Sequence, residues 1–199
     1  MAKVLVIEAY LGWAENQKSL LLYAQKKFLD AYKQLHPADE IVYLDLNQET
    51  KLETVLTTKN INCFWDAKSQ HYINLITQTD KIIISTNMIN FTISPILRNF
   101  FDNILIPEKT FSYDNSGKSC GLLNPQIKAQ LILVQGDVFD AYPFANFDGW
   151  LKQTLHFMGI EKIQVLLFDG ANTKEQAILS LEEKFALKEW QFNQQVKEF

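Results

Sequence analysis

The residues whose types and order best fit chemistry lie between positions 85 and 102. They read Ser85-Thr86-Asn87-Met88-Ile89-Asn90-Phe91-Thr92-Ile93-Ser94-Pro95 and run on to Asp102. A short β-branched run, residues 81–85, precedes them and reads as a buried strand. Ser94 and Pro95 follow as an N-cap and a first helical residue. Amide and apolar side chains set between a buried strand and a helix start offer an apolar shelf and backbone N–H donors. That combination suits a flat heteroaromatic ring. Read alone, Asn90-Phe91 better fits a tight strand-to-helix connection with Phe91 in the core.

Other chemistries find no support. The chain has no GxSxG elbow for a serine hydrolase, and neither a GxGxxG nor a GxxxxGK[ST] phosphate loop. His36, His71 and His156 are scattered without zinc-type spacing, which argues against a metal hydrolase. Cys63 and Cys120 form no CxxC pair. His156, between Leu155 and Phe157, reads as structural, and Trp65 and Tyr113 as core aromatics or pocket walls.

The elements that must position the 85–102 segment alternate. Runs at 4–7, 41–44, 81–85, 131–134 and 163–168 read as five strands. Helices are expected over 21–35, with Leu21, Ala24, Phe28, Ala31 and Leu35 inward and Pro37 as the stop. Others are expected over 66–78, from Ser94 onward, and over 147–158 with Gly159 as C-cap. Thr173 should open a final long helix carrying Ile178, Leu181 and Phe185. Residues 47–59 read as loop with room for a short helix, and Asp114-Asn115-Ser116-Gly117 marks a turn inside an excursion or small hairpin. Strands alternating with helices imply right-handed βαβ units. The expected fold is α/β: a flavodoxin-like, doubly wound, five-stranded parallel sheet of order 2-1-3-4-5, with helices on both faces. A chain of 199 residues suits a single domain over 1–199. Ligands in such sheets sit beyond the carboxyl ends of the strands. The loops at 8–18, 85–94 and 135–142 are therefore the places for chemistry.

With that arrangement the chain resembles the FMN-dependent NADH:quinone oxidoreductases and azoreductases, some of which carry an older label as acyl-carrier-protein phosphodiesterases. Their loop is close to P-M-Y-N-F-x-[IV]-[SP]-x-x-L-K-x-[YF]-[FI]-D, which residues 87–102 follow. The start at Lys3-Val4-Leu5-Val6-Ile7, the Phe111-Ser112-Tyr113 and Gly121-Leu122 segments and the stretch 155–159 are similar too. The resemblance implies FMN as cofactor, NADH as reductant, and a quinone or azo compound as acceptor in a ping-pong order. It also implies a homodimer with the flavin near the subunit interface. By position it places Met88, Ile89, Asn90 and Phe91 against the flavin, with Gln135 and Gly136 on the other side of the ring. The chemistry belongs to the flavin, so no protein side chain is expected to be catalytic.

Departures from the family pattern gather where the phosphate binds. Ala9 stands where the family has serine, and its Ser-x-Ser reads Asn16-Gln17-Lys18. Glu8 and Glu15 add negative charge there, while Lys18 and Asn16 supply a cation and a donor. Ile89 replaces a tyrosine, Asn87 a proline and Asp137 a glycine; an anion at 137 would lower the potential of a nearby flavin. A second reading is therefore a flavodoxin-like protein with a degenerate phosphate loop that is non-catalytic or binds another ligand. Trp13 either covers a flavin edge or packs on its own helix.

Charge limits the partners. The net charge is −4, and Arg98 is the one arginine among 19 basic residues. Nucleic acid is not expected as a partner, and a clamp for a 2′-phosphate is not evident, so NADH is favoured over NADPH. No run approaches the ~20 apolar residues of a membrane span. The apolar run at 4–7 is too short for a signal peptide, which makes the cytoplasm the expected compartment.

Overall fold

The computed structural model describes residues 1–12 and 19–199. The expectations placed on Trp13, Glu15, Asn16, Gln17 and Lys18 lie outside these residues. Strands β1 (Lys3–Ala9), β2 (Glu40–Asp45) and β3 (Lys81–Asn87) precede a small hairpin of β4 (Phe111–Tyr113) and β5 (Ser119–Gly121); β6 (Lys128–Val134) and β7 (Lys162–Phe168) follow. Five of them form one parallel sheet in the order β2-β1-β3-β6-β7. Counting only strands of that sheet, this is the expected 2-1-3-4-5. The hairpin β4–β5 is antiparallel and forms the expected excursion.

The sheet is wound on both faces because its side chains alternate. Leu5, Ile7, Ile82, Ile84, Leu131 and Leu133 point to one core, shared with α2 (Ala67–Thr77), α3 (Pro95–Ile104) and α4 (Phe147–Phe157). Val4, Val6, Ile83, Ile132 and Leu166 point to the other, covered by α1 (Leu20–Leu35) and by α6 (Leu181–Ala186) and α7 (Glu189–Glu198). Burial from both sides explains why these strands read as unbroken apolar runs. On α3, Leu97, Phe100, Phe101 and Ile104 are all buried, as their spacing requires. Burying each such side chain contributes about 1.5–3 kcal/mol.

Three expectations about helices are corrected. On α1 the buried row is Leu21, Ala24, Phe28 and Tyr32, while Leu35 is exposed. The row follows Phe28 to Tyr32 because that phenol has polar partners: its hydroxyl donates to Asp39 at 2.5 Å and accepts from Lys81 Nζ at 2.9 Å. At α3, Ser94 occupies the N-cap position but makes no cap bond. Its buried hydroxyl instead donates to the Ala9 carbonyl at 3.2 Å, tying β1 to the loop after β3. The final long helix is three short ones: α5 (Lys174–Ala177), α6 and α7. The break at Ser180 is built by a capping box with Glu183. Phe185 is buried, but Ile178 is 85% exposed.

Residues 47–59, read as loop, hold two short 3-10 turns, Leu46–Gln48 and Thr50–Glu53. Between them Glu49 accepts from the buried Tyr72 hydroxyl at 2.8 Å and pairs with Lys68 at 2.7 Å. Burial pushes the Glu49 carboxyl up, but the hydrogen bonds from Lys68 and Tyr72 outweigh it and hold it below its ordinary range. A carboxylate favoured in the folded state stabilises above its unfolded pKa, and that stability is lost as pH falls through its folded value. The melting temperature of wild type should therefore exceed that of Glu49→Gln near pH 6, and the gap should close below about pH 4. A gap that stays constant down to pH 3 would mean Glu49 does not hold this corner as an anion.

Candidate functional site

The carboxyl ends of β1, β3, β6 and β7 converge on one end of the sheet. Asn87, at the end of β3, uses its side-chain amide in both directions: it donates to the Leu11 carbonyl and accepts from the Leu11 N–H, each at 3.0 Å. The loop after β1 is thereby strapped to the loop after β3. Met88 N–H donates to Val134 O at 2.8 Å, extending the pairing with β6 past the strand ends.

The next residues form a two-residue hairpin. Ile89 and Thr92 exchange backbone hydrogen bonds at 2.9 and 3.1 Å around Asn90 and Phe91, both with positive φ, 47° and 68°. Such a turn favours Asn-Gly, since each central residue sits in the left-handed region. Asn fits the first place. Phe at the second is unusual and costs about 1–2 kcal/mol. The chain accepts this strain and projects Phe91 outward: it is 41% exposed. Phe91 is therefore not a core residue, which overturns the reading in which it merely fills the connection. Its ring meets Tyr142 and Phe144 edge-on, each at 4.8 Å between centroids.

On the far side, residues 135–137 are clamped by the loop after β7. Ala171 donates to Gln135 O at 3.1 Å, Asn172 to Gly136 O at 2.8 Å and Gly170 to Asp137 O at 2.7 Å. Gly136 faces the Asn172 side chain, whose amide nitrogen would lie 2.8 Å from a Cβ at this position. Among the described residues, no acceptor pairs with the N–H of Gly136 or Asp137. Asp169 anchors the outer rim by accepting from Phe139 N–H at 3.0 Å and pairing with Lys188 at 3.0 Å. Burial pushes the Asp169 carboxyl up, but those two donors prevail and keep it below the usual carboxylate range. Across the cleft the Asp137 carboxylate, as hydrogen-bond acceptor and as charge, pushes the Tyr142 phenol up.

These pieces enclose a cleft of about 440 Å³ that brings Met88, Asn90, Phe91 and Gly136 together. A smaller recess of about 180 Å³ shares Met88 and Tyr142 and adds Gln135. Ile89 lies in the turn, half-buried, with its backbone spent on Thr92. Ala9 is fully buried beneath the site, and its carbonyl accepts from the Thr86 and Ser94 hydroxyls. Glu8 does not stand free: its carboxylate accepts from the Gln25 amide, whose oxygen accepts from Ser85. The sequence reading missed Tyr142, Phe144, Asn172 and Thr173. The strand-end rule points to Asn172 and Thr173, which follow β7 as residues 135–137 follow β6. Trp65 and Tyr113 are exposed, so neither is a core aromatic, and His156 lies 3.1 Å from the Glu161 carboxylate.

The arrangement fits a flavin ring. It offers an apolar shelf of Met88 and Phe91, and backbone donors at Gly136 and Asp137 that have no acceptor among the described residues. The N-terminus of α1, capped by Ser19 through Leu22 N–H at 3.3 Å, follows the β1 loop as a phosphate cradle requires.

Comparison with known proteins agrees. The family described as having a flavodoxin-like fold matches residues 2–189. An FMN-dependent NADH:quinone oxidoreductase of Mesomycoplasma hyopneumoniae (strain 232) is 38% identical over 172 residues, 84% of this chain and 85% of that one. The protein of the same name from Mycoplasmopsis pulmonis is 33% identical over 180 residues, 89% of each chain. Among solved structures, an azoreductase of Bacillus anthracis superposes with a TM-score of 0.84 at 24% identity, over the whole of both chains. An FMN-dependent NADH-azoreductase of the same species, in complex with FMN, gives 0.83 at 20% identity over 100% and 99%. These two likenesses are of fold.

Proposed function

The chain belongs to the flavodoxin-like family of FMN-dependent NADH:quinone oxidoreductases, and on that premise we propose that it binds FMN in the cleft at Met88–Phe91 and reduces quinones or azo compounds with NADH. The observation that carries this reading is the strained Asn90-Phe91 turn, whose cost is otherwise unexplained, holding an aromatic ring at the mouth of the cleft. Strain of this kind concentrates at ligand sites.

Bound FMN would supply the ring that takes a hydride equivalent from NADH and passes it to the acceptor, in ping-pong order. The chain's own residues hold and shield that ring. Met88 and Phe91 exclude water from one side. Asn90 and the N–H groups of Gly136 and Asp137 offer hydrogen bonds to its polar edge, with Gln135 behind them. By position in the family pattern, the phosphate would be held by Asn16, Gln17 and Lys18 just ahead of α1, with Ala9 at the end of β1.

We take residues 1–199 as one domain, working as a cytoplasmic homodimer. No helix among the described residues is long and apolar enough to cross a membrane. An apolar groove between α3 and α4, lined by Leu105, Trp150 and Phe157, supports the dimer. The protein, mixed with FMN and freed of unbound flavin, should stay yellow and oxidise NADH with menadione, in a peak of dimer mass by light scattering. A colourless, inactive product would overturn the proposed activity and favour the degenerate phosphate loop; a yellow monomer would remove only the dimer.

A further inference from the structure

Two kinds of group meet at the mouth of the cleft. Phe91, Tyr142 and Phe144 form a triad with centroid separations of 4.8, 4.8 and 5.9 Å, yet they remain 41%, 37% and 70% exposed. So much accessible aromatic surface in one place is an unsatisfied recognition surface. The charges beside it share one sign. Asp137 lines the cleft and Asp140 the adjoining recess, and no Lys, Arg or His lines either among the described residues. Lys188, which reaches these loops, is paired with Asp169. Asp148, also at the recess, is paired with Lys152 at 2.9 Å, which leaves Asp137 and Asp140 as the recess and cleft carboxylates without an ion pair among the described residues.

Aromatic faces combined with carboxylates are the chemistry that recognises organic cations: the ring quadrupole and the anion both attract positive charge. We infer that the Phe91–Tyr142–Phe144 triad with Asp137 and Asp140 selects planar cationic aromatic acceptors over anionic ones. This deepens the proposed function and rests on it for the reaction, though not for the binding. The redox balance suits such an acceptor. A cation that takes one hydride equivalent, two electrons and one proton, from NADH becomes neutral while NADH becomes NAD+, and no further proton is required. The neutral product no longer feels the carboxylates, so the groups that favour entry do not hold the product.

The test is binding and reduction of two dyes by the FMN-treated protein at low ionic strength: the phenothiazinium cation methylene blue and the azobenzene sulfonate methyl orange. Methylene blue should bind at least tenfold more tightly. Asp140→Asn should weaken it roughly three- to fivefold without weakening methyl orange, and Asp137→Asn should weaken methylene blue binding by a similar factor, with flavin retention read beside it. Asn tolerates the positive φ of 63° at position 140, so that variant keeps its backbone. Phe144→Ala should weaken methylene blue by a similar factor. Equal affinities for the two dyes, or a preference that survives in the Asp137→Asn/Asp140→Asn double variant, would overturn the inference. Flavin retention separates the two ideas. A yellow, quinone-reducing protein without dye preference defeats only the cation site. A colourless protein that still prefers methylene blue, with that preference lost in the double variant, defeats the oxidoreductase reading and leaves the site standing.

Discussion

Glycine at position 91 is expected to leave the fold intact while loosening the flavin. Phe91 sits at φ 68° in the second place of a turn that prefers Asn-Gly. Removing its side chain relieves about 1–2 kcal/mol of backbone strain. It also forfeits two edge-on contacts, with Tyr142 and Phe144, each worth about 0.5–1.5 kcal/mol. The two terms nearly cancel, so the melting temperature of Phe91→Gly should stay within about 4 °C of wild type. Loss of a ring that stacks on a flat heteroaromatic ligand costs about 1–3 kcal/mol, so FMN affinity should fall roughly 5- to 150-fold. Fluorescence titration of FMN beside thermal melts reads both. Unchanged FMN affinity would show that the ring does not touch the flavin, and a fall in melting temperature of 10 °C would return Phe91 to a packing role.

The largest loss of stability is expected at Gly121. This residue ends β5, where the hairpin backbone lies directly on the turn that follows α4. A Cβ there would overlap backbone atoms of Met158 and Gly159. Flexible side chains can yield to an added methyl, but these atoms are fixed by the Leu123 N–H to Met158 O bond at 2.9 Å and by Gly159 at φ 107°. Overpacking against backbone costs about 3 kcal/mol or more. Gly121→Ala should therefore melt about 6–12 °C below wild type. A wild-type melting curve would mean that the hairpin is not held against α4.

The central strands were legible because burial on both faces writes them as unbroken apolar runs, β3 most plainly at Lys81-Ile82-Ile83-Ile84-Ser85. The C-terminal helices were less so. Spacing alone joins Ile178, Leu181 and Phe185 into one stripe, whereas Ser180 and Glu183 cap a new helix between them. Periodicity likewise put Leu35 inside and missed Tyr32, whose burial depends on a hydroxyl partner 7 residues away in sequence. Met88, Asn90, Phe91 and Gly136, which line one cleft, stand out in the sequence only through the family pattern. No pattern of polarity reports that Asn90 and Phe91 have positive φ, because that is a property of the backbone. Tyr142 and Phe144 sit in an irregular loop without a period, so nothing in the spacing says that they turn toward Phe91.

The covering of α1 has a consequence for how the protein is made. Its inward face packs on residues that leave the ribosome long afterwards: Phe28 meets Phe192 and Phe199 at 6.1 and 5.7 Å, and Tyr32 meets Phe199 at 5.6 Å. During synthesis, α1 and β2 emerge well before this cover, with over a hundred residues to be added between β2 and α7. At about 5–20 residues per second that interval lasts on the order of ten seconds, with apolar surface bare throughout. Until Phe192 and Phe199 are made, the inward face of α1 therefore lacks this cover, and the docking of α7 is the step that closes it.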